Sequence, residues 1–377
     1  MTETIAQGHP GPAETATVPH AGRIAVLGGV LSLALLGGGC AADPSPEAPL
    51  VASSAAVHRT SGPASGPASG PTIGRTPGPE STMPPSSAVE ARSFIEAADA
   101  WHAERLASLQ AEDGWLSLVA LGWLEPGVNR VARDGDAAVS YAGLPHAELG
   151  TITVGGSGGS DAGAVVFRPA AGVTVDGLPD NGHLVTDAEG TPTIIRAGTC
   201  QFHVIERGGR LAVRLKDSAA ATRTEFRGID RFPVDPSLRV DAELIAVGPG
   251  LTVPRQTIAG YEEVADVAGR ARFTLGGHAC DIVLHPGGAP GTYFVVFGDE
   301  TNGAGAAAGE RTYPGGRFLS ARTTAPGRVE LDFNRAYNPP CSFTPFATCP
   351  MPVADNRLPL AIRAGERWSA PRTGAGS

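Results

Sequence analysis

The chain has 377 residues, 42% of them hydrophobic, with 51 glycines, 33 prolines and a net charge of −9 from 38 acidic and 29 basic side chains. The apolar share suffices for a core, while glycine and proline far above average usage demand many turns or stretches without fixed structure. The acidic balance argues against nucleic acid as a partner, which would call for a clustered basic surface.

In chain order, the first signal is an apolar run from Ile24 to Leu36, preceded by His20 and Arg23. It has the length of a signal-peptide core and is too short for a comfortable membrane span. It ends in Gly37-Gly38-Gly39-Cys40, which resembles a bacterial lipoprotein signal, where a small residue precedes the cysteine that receives lipid. The pattern departs in having Gly37 where such signals carry Leu. The alternative is an ordinary secretory signal with an incidental cysteine. The expectation is a signal peptide over 1–40, lipidation at Cys40, and a membrane anchor that holds the protein outside the cytoplasm, or secretion. Residues 41–87 are rich in Pro, Ser, Gly and Ala and include a short Gly-Pro-Ala-Ser repeat. They cannot bury enough apolar surface to offset ordering entropy and read as a tether.

A folded domain is expected over 88–370, with a disordered tail over 371–377. Ser93 to Leu109 places Phe94, Ile95, Ala98, Trp101, Leu106 and Leu109 at helical spacing, an amphipathic helix. Trp115 and Trp123 follow as core anchors. Short alternating runs then recur between glycine and aspartate turns. They are Thr151–Val154, Ala164–Phe167, Gly172–Val175, Thr193–Arg196, Cys200–Glu206, Arg210–Lys216, Arg239–Val247, Leu251–Pro254, Ala271–Leu275, Ala279–Leu284, Thr292–Phe297, Gly316–Ser320, Val329–Phe333 and Leu360–Arg363. Gly208-Gly209 and Gly276-Gly277 read as hairpin turns. Few helical patterns intervene, which argues against parallel βαβ units. The fold class is therefore mostly β: an antiparallel sandwich or packed barrel-like sheets with an N-terminal amphipathic helix.

Several words in this region are distinctive. They are Asp113-Gly-Trp-Leu-Ser-Leu-Val, Arg214-Leu-Lys-Asp-Ser, Phe226-Arg-Gly-Ile-Asp-Arg-Phe-Pro-Val-Asp and Thr312-Tyr-Pro-Gly-Gly-Arg-Phe-Leu. The loop from Asp332 to Pro350, Asn356-Arg-Leu-Pro and Ala364-Gly-Glu366 complete the series. In this order they resemble the bacterial and archaeal family called domain of unknown function 1684, over about Glu90 to Trp368. An Ala/Gly-rich insert, Asn302 to Gly309, departs from the family pattern. The resemblance implies no activity.

The loop after Asp332 mixes prolines, polar side chains and two cysteines, so it is neither regular helix nor central strand. Shaped loops on rigid scaffolds are where binding and catalysis concentrate. Cys341 and Cys349 are close enough in sequence for a disulfide in an exported protein; their spacing matches no zinc or thioredoxin motif. No metal and no cofactor is expected. Alternation puts Arg214 and Lys216 on one strand face. If Arg317, Asn334, Arg335, Asn338, Asn356 and Arg357 converge with them, they form a cationic pocket for an anionic small molecule or glycan group. The bland alternative is salt bridging of these arginines with Asp230, Asp235, Asp299, Asp332 and Glu366. A hydrolase would use Asp332 or Glu366 with Tyr337 and Arg317 or Arg335. A third reading is a structural envelope protein whose polar loop is a satisfied network. The histidines, His203 and His285 among them, form no paired motif and read singly as surface or core. No nucleophile elbow, P-loop or dinucleotide fingerprint occurs.

Overall fold

Period-two patterning dominates the chain, and two β bodies result. A computed structural model describes residues 80–83, 86–155, 164–307 and 309–369. The signal segment, Cys40, most of the tether and the tail from 370 lie outside the described residues.

Helix α1 spans Ala88–Leu109, and Ser87 caps it by accepting the Glu90 N–H at 3.2 Å. It is less sharply two-faced than its spacing suggests, since Ala98 and Leu109 are its only fully buried residues among those described.

The first β body holds β1 (Leu118–Trp123), β2 (Gly127–Ala132), β3 (Val139–Ser140), β4 (Glu148–Val154), β5 (Val165–Pro169), β6 (Ile195–Ala197), β7 (Cys200–Arg207) and β8 (Arg210–Asp217). They form two sheets, β3-β2-β4-β5 and β1-β8-β7-β6. Both sheets send residues into one core, with Val131, Ile152 and Phe167 from the first meeting Phe202, Val213 and Leu215 from the second. The rings of Phe167 and Phe202 meet edge to face at 5.2 Å. Pairing is antiparallel except for β2 with β3. Gly208 and Gly209 close the β7–β8 hairpin with φ of 58° and 71°, the left-handed values a two-residue turn requires.

The second body is a closed barrel in the order β12-β13-β14-β15-β16-β9. Its strands are β9 (Arg239–Ile245), β12 (Gly269–Leu275), β13 (His278–Pro286), β14 (Thr292–Phe297), β15 (Arg317–Ala325) and β16 (Arg328–Asp332). A separate hairpin joins β10 (Thr252–Gln256) to β11 (Glu262–Asp266). Phe273, Ile282, Val295, Phe297, Leu319 and Phe333 are among the side chains filling the barrel. Ser81 and Met83 hydrogen-bond to Thr274, Asp241 and Arg239, closing the wall between β9 and β12 where those strands diverge. This part of the composition-defined tether is thus built into the barrel.

Two runs expected as strands are not strands. Gly172–Val175 packs Val173 and Val175 on the first core from a loop. Leu360–Arg363 is apolar because Ile362 is buried in the barrel core. Strands β1, β2, β3 and β11 were absent from the expected set. In β1 the pattern is broken by Gly122, where a Cβ would lie 2.3 Å from the Ala138 carbonyl oxygen. β14 joins the bodies: Val295 and Phe297 face into the barrel, while Phe294 and Val296 face a third cluster containing Leu118, Phe318, Tyr337, Ala347 and Cys349.

A candidate binding cavity

A cavity of about 710 Å³ opens among α1, the β7–β8 hairpin, the β10–β11 hairpin, the end of the barrel and the cysteine loop. That volume suits a small organic ligand. Each wall follows from strand or helix periodicity. On β7 and β8 one face is spent on the core through Phe202, Val204, Val213 and Leu215, so His203, Arg207 and Arg214 emerge on the other. α1 contributes Trp101 and Arg105, one turn apart. β13, β14 and β15 contribute His285, Phe294 and Phe318, and the tail contributes Tyr337, Thr348 and Cys349.

Two guanidiniums stand out in the lining, Arg214 buried and Arg105 half-buried. Arg214 is 2% exposed, lies 5.0 Å from the Trp115 ring centre and donates to Thr348 Oγ1 at 3.3 Å. Arg105 lies 4.7 Å from the Tyr337 ring centre, donates to the Asn338 carbonyl at 3.1 Å and approaches Glu366 at 3.5 Å. Stacking on aromatic faces suits arginine and holds the fork in place. Arg207 pairs with Asp187 at 2.8 Å and Arg255 with Glu263 at 2.6 Å. Burial, aided by Arg255, pulls His285 down to about 4, so its imidazole is neutral near pH 7.

The residues expected to converge are divided by the fold. Arg214 and Tyr337 line the cavity. Lys216 follows Arg214 on the same face, as alternation required, but donates to the Asp113 carbonyl beside Trp115. Arg317 is fully buried; it pairs with Asp299 at 2.6 Å and donates to the carbonyls of Ile362 and Ala364. Asn334 braces Asp235, accepting its N–H at 2.8 Å and donating to its carbonyl at 2.9 Å. Asn338 donates its backbone N–H to Glu366 at 2.7 Å and its side-chain amide to the Arg367 carbonyl at 2.9 Å. Asn356, 0% exposed, accepts from the Val283 N–H and donates to the carbonyls of Val283 and Val296. Arg335 reaches Asp332 at 3.3 Å, and Arg357 is exposed. Much of the tail's polarity is therefore spent on holding the chain end against the barrel.

Of the three residues weighed for catalysis, Asp332 and Glu366 are buried outside the cavity lining. Burial raises both carboxyls, opposed at Asp332 by the Asn334 donors and at Glu366 by Arg105. Cys341 and Cys349 are free thiols here rather than a disulfide; the Cys341 N–H donates to Cys349 Sγ at 3.2 Å. Cys200 and Cys280 are also free, and burial lifts each to about 11. Trp115 and Trp123 are half-buried; Trp115 packs against the third cluster, and Trp123 lies edge-on to Tyr261 and under Arg210. Among the described residues no group of three His, Cys, Asp or Glu could hold a metal ion, and no helix is long and apolar enough to cross a membrane.

The cavity residues not anticipated as site residues include Trp101, Arg105, Arg207, His203, Arg255 and His285. His203 had a usable signal, since alternation places it on the face of Arg214, its cross-strand partner. Arg207, further along the same face of β7, shared that signal; Trp101, Arg105 and Arg255 had none.

Residues 224–367 match the model of a family described as a protein of unknown function, DUF1684. This supports the family resemblance over the barrel and tail; the words at Asp113 and Arg214 fall outside the matched span. The chain is similar to an uncharacterized protein from Haloarcula marismortui solved by solution NMR, at 29% identity over 39% of this chain and 79% of that one, with a TM-score of 0.32. No curated protein matches the chain.

Proposed function

We propose that this chain is an exported, lipid-anchored binding protein that holds an anionic small molecule or glycan group in the cavity between its two β bodies. The observation behind this reading is Arg214, a guanidinium 2% exposed on the cavity wall and stacked on Trp115. A buried fixed cation amid aromatic rings favours a ligand with an anionic group and an apolar body. Arg105, held over Tyr337, adds a second guanidinium to the cavity lining. The apolar run ending at Cys40 supports export and anchoring on the outer face of the cytoplasmic membrane. In such an oxidising compartment the neighbouring Cys341 and Cys349 would form a disulfide that stiffens the cavity's tail wall. Native mass spectrometry of the full chain purified from its own envelope tests lipid, disulfide and carried ligand together.

The cavity itself is tested with anilinonaphthalene sulfonate and its uncharged analogue phenylnaphthylamine. The wild type binds both saturably. Arg214→Gln loses roughly 10- to 100-fold in affinity for the sulfonate, the size of a lost charged hydrogen bond, and keeps the neutral probe. Ser320→Trp, at an exposed position on the cavity rim, weakens both. Equal sulfonate affinity in wild type and folded Arg214→Gln refutes the reading.

A further inference from the structure

A second feature of the cavity wall narrows the ligand. His285 closes the end of β13 and is 4% exposed. Its Nδ1 lies 2.7 Å from the backbone carbonyl oxygen of Asp266, the last residue of β11. A carbonyl only accepts, so Nδ1 carries the hydrogen. Because the ring is neutral near pH 7, Nε2 carries only a lone pair. Among the described residues nothing donates to it. Arg255, whose charge acts on His285, gives Nε and Nη2 to Glu263 at 2.9 and 2.6 Å. Its buried Nη1 is likewise left without a protein partner. A cavity wall thus carries a buried acceptor and a buried donor that the protein itself does not satisfy, and such groups are rare because they cost stability.

We propose that the ligand is a hydroxy acid, whose hydroxyl donates to His285 Nε2 and accepts from Arg255 Nη1 while its acid group lies toward Arg214. This rests on the anion-binding reading of the cavity and adds the second recognition point. A hydroxyl fits because it is donor and acceptor at one oxygen. A second carboxylate does not fit, because it offers nothing to a bare Nε2. An ammonium group does not fit either, because it offers nothing to Nη1.

The test uses phenyllactate and phenylpropanoate, which share a ring and a carboxylate and differ by one hydroxyl. Isothermal titration calorimetry on the full chain should give about tenfold tighter binding of phenyllactate, the worth of a good hydrogen bond in a dry site. His285→Phe should reduce the preference for phenyllactate over phenylpropanoate to within about twofold. A readout independent of variant folding is the Nε2 resonance of histidine-labelled wild type, which should move with phenyllactate and not with phenylpropanoate. If both acids displace anilinonaphthalene sulfonate with equal affinity, the hydroxyl inference falls and the anion-binding reading stands. If neither displaces a sulfonate that does bind, the hydroxy-acid assignment also falls. If the sulfonate shows no Arg214 dependence, both readings fall.

Discussion

Arg317 separates a binding tail from a bracing tail, and its replacement by Met is the decisive perturbation. The guanidinium and the Asp299 carboxylate are both 0% exposed and 2.6 Å apart. The same guanidinium caps the carbonyls of Ile362 and Ala364 and lies 5.1 Å from the Phe297 ring centre. Asp299 in turn accepts from the Thr301 N–H and hydroxyl and from the Ile362 N–H. Methionine fills much of the volume but leaves Asp299 charged and buried, a loss of about 3–5 kcal/mol. For a domain of this size that lowers the melting temperature by roughly 6–20 °C. Adding Asp299→Asn removes the stranded charge and keeps an acceptor for Thr301, so the double variant should recover roughly half of the loss. The measurement is thermal unfolding by circular dichroism, with anilinonaphthalene sulfonate titrated below the transition. Sulfonate affinity should be unchanged, because Arg317 does not line the cavity. A single variant melting within about 2 °C of wild type, or a double variant no better than the single, would refute the argument.

Asn356→Ala should cost about 3 kcal/mol, because it strands the Val283 N–H and two strand carbonyls in the barrel wall; chemical denaturation measures it. His285 should make stability depend on pH. Its folded value, about 4, lies below the ordinary 6.5, so the unfolded state binds the extra proton first. Stability is therefore lost as pH falls through that window, by about 3 kcal/mol at pH 4 relative to pH 7. His285→Phe should flatten this difference, and unfolding curves at several pH values that remain parallel for the two proteins would contradict it. Glu366 and Asp332, whose carboxyls are raised by burial, work in the opposite direction: each weakens the fold as pH rises from its unfolded value to its folded one.

The β class, the two diglycine hairpins and the proline-braced tail were legible from the chain alone. Alternation around Val213 and Leu215 states which residues share a face, and it put Arg214 and Lys216 on one side correctly. What that face looks upon is another matter. Arg105, Arg214, Arg255 and His285 come from a helix, two hairpins and a barrel strand, and line one cavity only because Leu118 of the first β body packs with Val296, Phe318 and Tyr337 in the third cluster. Arg317 and Asn356 stand beside turns in sequence much as binding residues do, yet both are buried as braces. Local pattern reports the period of an element because backbone geometry sets that period. Whether a polar side chain meets solvent, a ligand or a buried carbonyl depends on contacts between segments far apart in the chain, and those exist only once the core has closed.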